Sequence, residues 1–196
     1  IIGLNQAGDG RTLQAQPLSE ESILVNLRLP TEGAGGGTIA VRLYAPSHPS
    51  RFRYGAEDGA PVAVVVPGGF TAGTLEAQAG LFLKQGFVVV TFLFPGGIQG
   101  PYRSDGAYDD RGDHCHRALR DVLRFAASDL ASAEGKFISQ YLGGPARKDA
   151  VGILALSNGG SISAATLGRY GEQIPPLGFL IPWESPTNDQ VLAAEV

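Results

Sequence analysis

The hydrophobic positions of this chain follow two different rhythms. In the first part they alternate. "SILVNLRL" puts Ile23, Val25, Leu27 and Leu29 on one face, and "TIAVRLY" does the same with Ile39, Val41 and Leu43. A period of two predicts strands with one face against a core, and the glycine-rich "TEGAGGG" between them predicts the turn of an antiparallel hairpin. "APSHPSRFRYGAEDGAP", which contains His48, reads as a polar connection.

Beyond it the alternation gives way to continuous apolar runs: "VAVVV" (62–66), "FVVVTFLF" (87–94), "VGILAL" (151–156) and "LGFLI" (177–181). All four read as strands, and "VAVVV" and "FVVVTFLF" have the pattern of strands buried on both faces. Helical spacing falls between them. It is carried by Leu75, Ala79, Phe82 and Leu83 within 74–85, and by Cys115, Ala118, Leu119, Val122, Leu123 and Ala126 further on; 159–170 reads as a helix of small residues. Strand and helix in alternation predict parallel crossovers with helices on both sheet faces, so the fold class is α/β. Residues 1–21 are polar and aperiodic and read as an N-terminal arm; 22–196 read as one domain.

Composition removes several classes of function. The net charge is −4 and the 15 basic residues are scattered, with no run that could track a phosphate backbone, so nucleic acid is not an expected partner. The longest apolar runs fall far short of the roughly 20 residues a membrane-spanning helix needs. Cys115 is the sole cysteine, so no internal disulfide can form. The chain contains no methionine and begins Ile-Ile. That start fits a removed leader, which favours a secreted or periplasmic location, and fits equally a part of a longer product.

In open α/β sheets reactive groups collect beyond the carboxyl ends of the strands. Two such ends stand out. In "LALSNGG", Ser157 sits between a strand and a helix, with small residues two positions to either side, Ala155 and Gly159. A tight turn of this kind lifts the serine clear of the sheet and aims the N-terminal amides of the new helix at it. The alternative is that Ser157 simply caps the helix, since serine is favoured there. The second end, "VVVPGGFTAG", places Gly68, Gly69 and Phe70 after a neighbouring buried strand, where free backbone N–H groups could join that of Asn158 in an oxyanion hole.

On these motifs, together with the opening hairpin and "GFVVVTFLFPGG", the chain resembles the α/β-hydrolases over roughly 22–185, in the neighbourhood of dienelactone-hydrolase-like enzymes and esterases. The resemblance implies Ser157 as nucleophile, N–H groups of Phe70 and Asn158 as the oxyanion hole with Gly69 as an alternative donor, and a small-molecule ester as substrate. Pro67 stands where many esterases carry histidine, and Ala155 replaces the first glycine of the elbow. The triad of this superfamily runs Ser, then Asp or Glu, then His. Here His48, His114 and His116 all precede Ser157, and only one predicted strand follows it. The family sheet continues with two further strands, so the expectation is that a C-terminal segment or a second chain supplies the histidine. Glu184 in "IPWESPTND" is the better placed candidate acid, with Asp189 behind it; a plain solvated loop carboxylate is the competing reading.

Two other features have simpler explanations. "SDGAYDDRGDHCH" gathers Asp105, Asp109, Asp110, Asp113, His114, Cys115 and His116, but its spacing matches no standard metal loop, and acidic residues at a helix start are favoured by the helix dipole. No metal and no cofactor are expected. His114 and His116, two apart on a helix, face different directions. "RGD" at 111–113 is a three-letter match without weight. Three functions follow: a serine esterase, a peptidase or lipase using the same machinery, and a catalytically inactive scaffold that binds or assembles.

Overall fold

The computed structural model describes residues 15–19, 22–76 and 79–185. In chain order the strands are β1 (Ala15–Ser19), β2 (Ser22–Pro30), β3 (Thr38–Pro46), β4 (Ala60–Val66), β5 (Gly73–Thr74), β6 (Val88–Leu93), β7 (Ile98–Gln99), β8 (Tyr102–Arg103), β9 (Ala146–Leu156) and β10 (Phe179–Trp183). The α-helices are α1 (Gly55–Asp58), α2 (Gly80–Lys84), α3 (Asp113–Ala126), α4 (Ile138–Leu142) and α5 (Gly159–Tyr170). The main sheet runs β1-β2-β3-β6-β4-β9-β10, with β5 added beside β6. Strands β1, β2, β3 and β6 are antiparallel neighbours, and β6, β4, β9 and β10 are mutually parallel.

The hairpin has the register its alternation predicts: Val25 pairs with Leu43, Leu27 with Val41 and Leu29 with Ile39. These six side chains point into one core. The continuous apolar runs are explained by two cores, one on each face. Val62, Val64, Val66, Val88, Val90, Val151 and Ile153 meet Leu119, Val122 and Leu123 of α3 and Ile162 of α5 on one side. Val65, Val89, Leu154 and Leu156 meet Ala79, Phe82 and Leu83 on the other. A strand with helices on both faces has no polar side, so its sequence shows no alternation.

Three segments depart from the sequence expectations. Part of the polar arm forms β1, an edge strand antiparallel to β2 in which Pro17 pairs with Ile23; an edge tolerates a residue that lacks an N–H. Strand β9 begins five residues earlier than its apolar run, because "ARKDA" continues the ladder beside β4 into solvent. The helix expected over 74–85 is confined to α2 within the described residues. Its first residues are claimed by the sheet. Tyr44 and Thr91 hydroxyls donate to the Leu75 carbonyl at 2.7 and 2.9 Å, and the Leu75 N–H donates to Gln99 Oε1 at 2.7 Å. A residue whose backbone groups are held in this way cannot also enter the helical ladder.

Helix α3 buries the whole predicted stripe, Cys115 included, and burial pushes that thiol's pKa up. At the opposite edge, β10 leaves Leu180, Ile181 and Trp183 exposed. Replacing Leu43, fully buried between hairpin and helix layer, by alanine is expected to lower unfolding free energy by about 2–5 kcal/mol. A urea-denaturation loss under about 1 kcal/mol would contradict its place in the main core.

Candidate active site

Strands β4 and β9 are parallel neighbours, and Val66 pairs with Ala155, so the segments that follow them emerge side by side. After β9 the backbone turns at Ser157, whose φ of 50° lies in the left-handed region. A non-glycine residue there stores about 1–3 kcal/mol of strain and persists only where its surroundings impose it. They do so here. The Ser157 N–H donates to the Trp183 carbonyl of β10 at 2.8 Å, and its carbonyl accepts from the Gly160 N–H at 2.9 Å. The serine is exposed, directly before the buried Asn158 and the first turn of α5.

The two segments meet through glycines. A β-carbon on Gly68 would lie 2.7 Å from the Ser157 β-carbon, and one on Gly159 would lie 2.4 Å from the Val66 carbonyl oxygen. Neither position admits a side chain without displacing backbone or the serine itself. The elbow's Ala155 is fully buried, so its methyl packs in the core rather than against the turn. Past Gly68, Gly69 has a φ of 73°, and Phe70 is 75% exposed. Backbone N–H groups of Gly69, Phe70 and Asn158 thus stand on the two segments that converge on Ser157, at the N-terminal, partially positive end of α5.

Glu184 follows Trp183, the residue whose carbonyl holds Ser157. It is exposed and also has a left-handed φ, 52°. Ser185 packs on the first turn of α5: a β-carbon on Gly160 would lie 2.1 Å from the Ser185 Oγ. Asp189 lies outside the described residues. Among the described residues, the other non-glycine positions with positive φ are Asp110, Arg111 and Ser128. Arg111 reaches this edge too. Its Nη2 donates to the Pro67 carbonyl at 3.2 Å and to that of Gly69, while the Tyr108 hydroxyl donates to the Thr71 carbonyl at 3.2 Å. Sequence reading passed over Arg111 and Tyr108, since nothing in a charged, glycine-rich loop marks which residue folds back onto another loop.

The histidines stand elsewhere. His48 is exposed, and its Nδ1 accepts the Ser50 N–H at the start of a 3-10 turn. His114 is exposed, with Nδ1 3.8 Å from Asp109. His116 is buried on the face of α3 that packs on the C-terminal end of α5, where Asp113 accepts the Tyr170 hydroxyl at 2.6 Å and Arg120 donates to Gln173 at 2.9 Å. That end of α5 is about 18 Å from the Ser157 end. The acidic cluster is used structurally. Asp109 accepts the N–H groups of His114 and Cys115 at 2.7 and 3.3 Å, and Asp113 pairs with Arg117 at 2.8 Å. Among the described residues no group of three or more His, Cys, Asp or Glu side chains is arranged to hold a metal ion.

No family model and no curated protein matches the chain. Solved structures do. A prolyl endopeptidase aligns with a TM-score of 0.53 at 16% identity, covering 82% of this chain and 21% of its own. An esterase from Exiguobacterium antarcticum aligns with a TM-score of 0.51 at 16% identity, covering 81% and 45%. A post-proline cleaving enzyme from Rickettsia typhi aligns with a TM-score of 0.53 at 13% identity, covering 85% and 22%. The fold is that of the α/β-hydrolase enzymes in part, and the chain spans less than half the length of these structures.

Two outcomes follow. Gly159→Ala is expected to cost about 1–3 kcal/mol in chemical denaturation, and an unchanged midpoint would contradict the close approach to Val66. His116 supplies a pH signature. Burial, then the Arg169 charge, hold its imidazole below the ordinary 6.5, against the opposing pull of Asp113 and Asp109. The unfolded chain therefore takes up the proton first. Stability is complete above the unfolded value and falls as pH drops from about 6.5 towards the folded one. Thermal melts of wild type and His116→Gln between about pH 7.5 and 5.5 should show the decline flattened in the variant; parallel declines would contradict it.

Proposed function

We propose that this chain is the nucleophile-bearing part of a serine hydrolase that cleaves carboxylic esters. The observation that supports it best is the strained, exposed Ser157, held at a strand-to-helix turn against Gly68 of the loop after the adjacent strand. Backbone strain of this kind concentrates at functional sites.

In this reading Ser157 Oγ attacks the ester carbonyl carbon while its proton passes to a histidine. The carbonyl oxygen becomes an oxyanion and takes hydrogen bonds from the N–H groups of Phe70 and Asn158, with Gly69 as the alternative donor. Collapse of the tetrahedral intermediate expels the alcohol, which takes the proton back from the imidazolium. Water then attacks the acyl-serine by the same route and releases the acid. Glu184 orients the imidazole from its corner beside Trp183. With His48, His114 and His116 placed as described, the histidine comes from a further segment or from a second chain. The exposed apolar residues of β10 support a partner on that side, and they equally favour the second reading, an inactive hydrolase-like module that assembles through this edge.

Turnover of p-nitrophenyl acetate by the natively purified protein, together with the segment or partner that supplies the histidine, separates the two. Ser157→Ala is expected to lower kcat by about 10⁶, and Glu184→Gln by about 10⁴. Equal turnover by wild type and Ser157→Ala would favour the inactive module.

A further inference from the structure

We propose that Arg111 is a positioning residue for the oxyanion loop, a role that rests on the hydrolase reading above. Its Nη2 donates to the carbonyls of Pro67 and Gly69. These residues flank Gly68, the point where the loop touches Ser157. In a planar trans peptide the C=O and the following N–H point to opposite sides. Fixing the Pro67 and Gly69 carbonyls on the guanidinium therefore fixes the direction of the Gly68 and Phe70 N–H groups, away from Arg111. The loop cannot hold this direction alone. Two successive glycines leave its backbone free, and a β-carbon on Gly69 would have nothing within 4 Å.

The local costs at Arg111 support a specific task. The residue sits at a φ of 71°, directly after Asp110 at 48°. Its Nε and Nη1 are buried without a hydrogen-bond partner. Buried unmade hydrogen bonds and left-handed side chains are both destabilising, and a surface arginine would meet neither. The cation also does something a neutral donor would not. Bonded to the Gly69 carbonyl, it polarises the Gly69–Phe70 peptide and makes the Phe70 N–H a stronger donor to a developing oxyanion. Tyr108, through its bond to the Thr71 carbonyl, holds the far end of the same loop.

The test uses the same natively purified protein, with the segment or partner that supplies the histidine, carrying Arg111→Met or Arg111→Lys. Hydrogen exchange of the amides of 68–72 is expected to quicken at least tenfold in Arg111→Met, while those of α3 and the central strands stay as they were. Its kcat for p-nitrophenyl acetate is expected to fall at least tenfold with KM within threefold, and Arg111→Lys should recover part of kcat. If Arg111→Met does not fold, Arg111→Lys decides alone, since the shorter lysine side chain ends about one bond short of the Nη2 position and cannot hold both carbonyls; faster loop exchange and a reduced kcat are again expected. Loop exchange within twofold of wild type, or faster exchange with unchanged kcat, overturns the role of Arg111 alone. Turnover that is equal in wild type and Ser157→Ala overturns the hydrolase reading and this role with it.

Discussion

The site depends on one close approach, the contact of backbone with backbone where β4 and β9 end. The two strands are held in register by their ladder and by cores on both faces, so the segments leaving them cannot drift apart. Gly159 lies so near the Val66 carbonyl, and Gly68 so near Ser157, that a single methyl group would open the arrangement. Hydrophobic burial drives the sheet together, and the absence of two side chains lets its carboxyl edge close. The turn at Ser157 is then imposed, with its amide locked to Trp183 on the third strand of the same edge.

That imposed turn links packing to chemistry. A serine at a left-handed φ is paid for by the surrounding fold and is thereby displayed at the N-terminal end of α5, where partial positive charge favours an anion. Glu184 is strained in the same sense one strand further on, and Arg111 on the opposite side. Strain, an exposed hydroxyl and an arginine bonded to the Pro67 and Gly69 carbonyls are thus gathered at one edge of the sheet. The similarity to an esterase and to prolyl-cleaving peptidases concerns the frame that does this gathering, and at 13–16% identity it concerns the frame alone.

Much of the frame was readable from the residues, and the reasons are physical. The hairpin register followed from alternation, and the central strands from apolar runs that only two-sided burial explains. Helix α5 has the predicted bounds because Asn158-Gly159-Gly160 can begin it right after the turn. What was not readable is what tertiary contacts decide. Strand β1 is held by ladder bonds to β2, which carry no side-chain signature. The start of β9 is polar. The segment at Leu75 has helical spacing, yet its backbone is taken by Tyr44, Thr91 and Gln99. At the site, Ser157 and the glycines were visible as a motif, whereas Arg111 was invisible, because its meaning lies in two carbonyls more than 40 residues away.

The central claim is that Ser157 is activated as well as displayed. Exposing the native protein to a fluorophosphonate, which reacts with activated serines, and locating the adduct by peptide mass spectrometry tests it most directly. The account predicts a single label on Ser157. A folded protein in which Ser157 stays unlabelled, while turnover or labelling occurs elsewhere or not at all, would contradict it.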